Sequence, residues 1–169
     1  MAGENWAHAF AYMLLNEGST YVEDPSPTLR GITLETLSAA RGKTCTAADV
    51  KALTLSETQQ IYKVLYWDRL SGDSLQSESV ATAIFDAAVN SGVPTAAKLA
   101  QAISGALPDG NIGPKSVAAI NAMAPETFML QFVPQRLGQY VALARAKPER
   151  RPYLKTWLRR AALYLDLIV

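Results

Sequence analysis

Trp6, Phe10, Met13 and Leu14 recur three and four residues apart, the period of one helix face, and predict an amphipathic helix over residues 4–17. Gly18 supplies its stop. The helical pattern then fails over residues 18–33. Pro25 and Pro27 break helices there and predict a loop or short hairpin, with "STYV" and "RGIT" as its β elements. Thr33 is placed to cap a helix over 34–41, which Gly42 ends. Thr46 with Asp49 is a capping-box signal for residues 47–53, and Ser56 with Gln59 repeats that signal ahead of "TQQIYKVLYWDRL". An Ala- and Val-rich helix is predicted over 78–90. Pro94 opens a helix over 94–104, and Pro114 opens another in "PKSVAAINAM". Two longer helices, 125–146 and 152–166, flank "KPERRP".

The expectation is a mainly α fold with one small β element after the first helix. No 20- to 50-residue repeat interrupts it. A soft boundary near residues 92–94 divides the chain into regions 1–92 and 93–169, expected to pack as one compact unit. With 169 residues the chain is long enough to bury a sizeable core.

Charge and composition remove several function classes. The net charge of +1 creates no global attraction to nucleic acid or membrane. One cysteine, Cys45, cannot close an internal disulfide, and one histidine, His8, cannot build a His-rich metal centre. No metal and no cofactor is expected, and Asp109 in "PDGNIGP" reads as turn chemistry. The N-terminal segment carries Glu4 and no Lys or Arg before its apolar run, unlike a signal peptide. "AALYLDLIV" is too short to span a bilayer, so no stable membrane insertion is expected.

The residue that stands out is Glu17. A carboxylate at a helix C-terminus meets the negative end of the macrodipole, a locally unfavourable choice, and such conflicts concentrate at functional sites. The same placement, in apolar surroundings, favours the neutral form that a general acid needs. A glycosidase needs a second polar group as well, and Glu23, Asp24, Thr28 and Thr33 are near in sequence. Asp24 before Pro25 is also good turn chemistry, and Thr33 is explained as a cap.

These residues resemble a known family. "NEGSTYVEDP" and "TLRGIT", then "IYKVLYWDRLSGD", "AIFDAAVNSG", "LPDGNIGPKSVAAIN" and "RRPYLKTWLRRA" follow the order of motifs in family 108 glycoside hydrolases, phage-type N-acetylmuramidases, with their C-terminal peptidoglycan-binding segment. The resemblance implies a lysozyme-like helical fold. It implies cleavage of the β-1,4 bond between N-acetylmuramic acid and N-acetylglucosamine, with Glu17 as the essential acid. Asp24 becomes the candidate water-positioning partner, assisted by Thr28. The loop departs from the family's pattern: the second Asp and the Gly pair before its Thr are missing, and Ser19 and Thr20 stand where one glycine is usual.

Tyr21, Tyr66 and Trp67 are candidates for contact with sugar rings, although aromatics in a helical stripe are commonly core. Asp86 and Asn90, four apart, share a helix face that could line the groove opposite Glu17; Asn90 also reads as a helix cap. Eight of the sixteen Lys and Arg residues, from Arg136 to Arg160, fall in 25 positions. They read as a solvated face or as an attraction to an anionic wall, and no nucleic-acid motif accompanies them. The expected partner is the peptidoglycan glycan strand, met by a monomer that is made in the cytoplasm and reaches the wall through a holin or a secretion system. A peptidoglycan-binding protein with a lapsed site, and more distantly a membrane-active helix protein, are the competing readings.

Overall fold

The computed structural model describes residues 2–23 and 26–164, with side chains from residue 4. Asp24 and the end of the predicted last helix, residues 165 and 166, lie outside the described residues. The described chain is mainly α and lysozyme-like, with one two-stranded sheet.

Helix α1 (Ala2–Glu17) packs on α5 (Glu78–Ser91), and α5 is the centre of the molecule. Residues 80–88 of α5 are buried on every side. A helix that is apolar on most sides belongs inside a protein, and within 80–88 only Thr82 and Asp86 interrupt the apolar surface; small alanines at 81, 83, 87 and 88 let its neighbours approach. Trp6, Phe10 and Met13 of α1 meet it, with Trp6 edge-on to Phe85 at 5.5 Å between ring centroids.

Strands β1 (Thr28–Leu29) and β2 (Ile32–Thr33) form a hairpin, closed by Arg30 and Gly31 with φ of 50° and 75°. Two left-handed residues in a two-residue loop match the twist of paired strands. The predicted "STYV" strand reduces to a single bridge from Val22 to Thr28, because the chain reaches its partner only at that residue. Thr33 caps α2 (Leu34–Arg41), its Oγ1 accepting from the Thr36 amide at 3.2 Å, and Gly42 ends the helix. The Thr46–Asp49 capping box opens α3 (Ala47–Lys51). The cap of α4 (Leu55–Tyr62) is Thr54, not Ser56: Thr54 Oγ1 accepts from the Glu57 amide at 3.1 Å.

The single helix predicted through "IYKVLYWDRL" is instead three pieces. After α4 the chain widens to a π-helix at Lys63–Trp67 and tightens to a 3-10 turn at Asp68–Leu70. Trp67 is thereby turned inward over Gly72, where a Cβ would collide with the indole. Beyond α5 come α6 (Val93–Ser104), α7 (Pro114–Asn121), α8 (Pro125–Ala146) and α9 (Arg151–Ala162). The "PDGNIGP" loop is held by buried Gln101, whose Nε2 donates to Asp109 Oδ1 (2.8 Å), Asn111 O (2.9 Å) and Ser116 Oγ (3.0 Å). A structural role thus accounts for Asp109.

Candidate active site

Glu17 is the last residue of α1, and its side chain is 20% exposed. Three elements enclose it. The first is the hairpin turn: an added Cβ on Gly31 would stand 2.8 Å from Glu17 Oε2 and would collide with Tyr62 Oη. Only a residue without a side chain, and at ease at positive φ, fits between the two. The turn is pinned from below, where Tyr62 Oη donates to Arg30 O at 2.9 Å and Arg30 Nη1 donates to Leu53 O at 3.0 Å.

The second element is the π segment. Tyr66 stacks on Tyr62 at 5.6 Å between centroids. Burial and then the charge of Glu17 push both phenols above their ordinary range, so both keep their protons at neutral pH.

The third element is α9. Arg160 Nη1 donates to Glu17 Oε1 at 2.7 Å, while its Nε (3.0 Å to Oδ2) and Nη2 (2.7 Å to Oδ1) grip Asp86. Asp86 is fully buried and also accepts from Tyr164 Oη at 2.6 Å and Asn16 Nδ2 at 3.4 Å. Burial works against the Arg160 charge, but the bonds and charges of Asp86 and Glu17 outweigh it and hold the guanidinium above its ordinary range. The apolar surroundings expected for Glu17 are therefore only half realised, since one of its oxygens is taken by a cation.

The other predicted residues divide. Tyr66 reaches the site. Trp67 does not: at 1% exposure, with Nε1 donating to Asp73 Oδ1 at 2.7 Å, it is core and has no face for a sugar. Tyr21 is half-buried beneath Lys51, whose Nζ lies 4.7 Å from the ring centroid. Thr28 sits in β1 with its hydroxyl donating to Ser26 O at 2.9 Å. Glu23 is exposed and pairs with Lys51 at 3.7 Å. Asp86 does not line a groove; it acts on Glu17 through Arg160. Asn90 is no cap, since Gly92 ends α5; its Oδ1 accepts from Tyr140 Oη (2.8 Å) and Arg136 Nη2 (3.0 Å). Among the described residues, no three His, Cys, Asp or Glu side chains converge as metal ligands would.

Sequence reading missed Gly31, Tyr62 and Arg160. In the sequence Arg160 belongs to the basic run that reads as a solvated face or as an attraction to an anionic wall. Its helical register carried the better signal, because it lies three after Trp157 and four before Tyr164, on the inner side of α9.

Residues 10–92 match the family described as Glycosyl hydrolase 108, and residues 95–162 match a Predicted Peptidoglycan domain. Among solved structures, the one titled "Structure of Brucella abortus SagA" is 32% identical, with a TM-score of 0.79, over 98% of this chain and 97% of that one. Among curated proteins, none matches this chain. Glu17 thus lies in the first matched segment and Arg160 in the second.

Proposed function

Because the chain belongs to the glycosyl hydrolase 108 family, with a peptidoglycan domain attached, we propose that it is a muramidase that uses Glu17 as general acid. The observation that carries this reading is the enclosure of Glu17: a carboxylate at a helix end, walled by two protonated tyrosines, a bare glycine turn and a fixed guanidinium.

The bond attacked is the β-1,4 link between N-acetylmuramic acid and N-acetylglucosamine. Arg160 occupies Oε1, which leaves Oε2 to carry the proton that passes to the glycosidic oxygen. The missing side chain at Gly31 keeps space beside that oxygen. As the leaving group departs, positive charge grows on the sugar, and a second polar group must stabilise it or orient the attacking water. Asp24, with Thr28, is assigned that part. The glycan strand is the partner, and the chain acts at the wall after export.

Mass spectrometry of digested sacculi tests the reading. Wild type should release muropeptides that end in reducing muramic acid, and Glu17→Gln, folded by circular dichroism, should release none. Turnover by Glu17→Gln close to wild type would refute it. The Glu17–Arg160 ion pair also suits a second reading, a binding protein whose acid is permanently engaged. Binding of sacculi by wild type without new reducing ends would select that one.

A further inference from the structure

Arg136 is 1% exposed, on the buried stripe of α8 that also carries Phe132 and Tyr140. Its guanidinium donates to Asn90 Oδ1 (3.0 Å), Ser91 Oγ, Ala87 O (3.4 Å) and Gln139 Oε1 (3.2 Å), and lies 4.3 Å from the centroid of the Tyr140 ring. All of these groups are uncharged. Its Nε is buried without a hydrogen-bond partner among the described residues. Among the described residues no carboxylate pairs with it; a buried cation without a counter-ion is costly, and a fold that keeps one leaves a positive potential for a ligand to answer.

A cavity of about 530 Å³ opens beside this cation. Lys147 and Arg150 line it together with Arg136, and among the described residues no acidic one does. Trp157 also lines it, with its ring held by stacking on Tyr140 (5.4 Å) and Tyr153 (5.9 Å). The cavity does not stand apart from Glu17. A second hollow of about 370 Å³ shares Asn90 and Trp157 with it and continues to Arg160 and to Asn16, the neighbour of Glu17. The two hollows, which meet at Asn90 and Trp157, therefore lie between Arg136 and Arg160, the residue that holds Glu17.

We infer that this cavity binds a carboxylate of the peptidoglycan stem peptide while the glycan strand lies at Glu17. The inference rests on the peptidoglycan reading above. It follows from the polymer's chemistry: the peptide hangs from muramic acid, next to the bond to be cut, and its free carboxylates are the anions nearest to that bond. The site takes an anion with an organic body, since Arg136, Lys147 and Arg150 share its lining with Tyr140, Leu143 and Trp157.

Calorimetric titration of the full chain with three probes tests it: a disaccharide–tetrapeptide, the same compound with its carboxyls amidated, and the peptide-free disaccharide. The free-acid form should bind at least about tenfold more tightly than the amide. Lys147→Ala with Arg150→Ala, both exposed positions, should erase most of that difference without affecting the disaccharide. Arg136→Gln should erase it entirely if the variant folds, and Arg136→Lys should restore part. Equal affinity for acid and amide overturns the inference, as does tighter binding of inorganic phosphate than of the free-acid probe. Binding of the disaccharide in either case leaves the muramidase reading standing. Failure to bind the disaccharide, or sacculi, would remove that reading instead.

Discussion

Arg160 Nη1 reaches Glu17 Oε1 at 2.7 Å across 143 positions of sequence, and the same guanidinium closes on Asp86. The acid, its orienting cation and the buried carboxylate behind them come from α1, α9 and α5. Glu17 is aimed by the packing of three helices and does not depend on its own loop alone.

Removing that cation should be felt first in stability. Arg160→Ala leaves Asp86 fully buried without a positive partner, and breaking such a pair typically costs about 3–5 kcal/mol. Urea denaturation should show a loss of that size, and Arg160→Lys should recover part of it, because an ammonium cannot span both carboxylates in the same fork. A loss below about 1 kcal/mol, the level of an exposed pair, would contradict the buried geometry.

Gly31→Ala should damage the site more than the fold. A Cβ there meets Tyr62 Oη and Glu17 Oε2, and an L-residue at this φ is strained by about 1–2 kcal/mol. Displacing Glu17 should lower muropeptide release by about tenfold or more, with sacculus binding retained. Gly18→Ala is the control: it shares the positive φ but has open space around it, so it should lose stability with little added effect on turnover.

Trp67 and Tyr66, adjacent in sequence, should separate cleanly. Trp67→Ala empties a core position and should cost about 3–5 kcal/mol in stability. Tyr66→Phe should leave stability within about 1 kcal/mol and shift turnover through the loss of a hydroxyl near Glu17. A large drop in sugar affinity for Trp67→Phe, with normal stability, would mean the indole reaches substrate after all.

The acid limb of stability should depend on Asp73. Its bond from Trp67 Nε1, and then from Lys63 Nζ at 3.1 Å, holds the carboxyl below the ordinary aspartate value. The folded chain therefore takes up this proton at lower pH than the unfolded chain. The contribution is present above the unfolded value of about 3.9 and fades as pH falls through the lower folded value. Asp73→Asn should be less stable at neutral pH and should lose stability less steeply below about pH 4. An unchanged acid limb would exclude the carboxylate as its source.

The residues also explain how much the sequence disclosed. Local signals were legible: Thr33 and the Thr46–Asp49 box cap where spacing placed them, and α8 runs from Pro125 to Ala146 as its pattern required. Glu17 was visible because it breaks a local rule. Its environment was not, because Arg160 and Gly31 act through contacts that no short window contains. Trp67 misled for a related reason. Helical spacing predicts a face, but the π turn at Lys63–Trp67 rotates that face inward, and its register depends on Gly72 accepting the indole. The basic run misled by composition: Arg136 and Arg160 lie inside, while their neighbours Arg145 and Arg159 stay in water.

Asp86 also sets an order of events. It is buried in the middle of α5, yet its counter-ion is synthesised 74 residues later. While the ribosome is still reading the intervening codons, α5 carries an unanswered negative charge, and the acid of α1 has nothing to orient it. The ion-paired arrangement of Glu17 therefore comes into being only once α9 has been made and docked. A nascent chain halted anywhere before residue 160 would lack it.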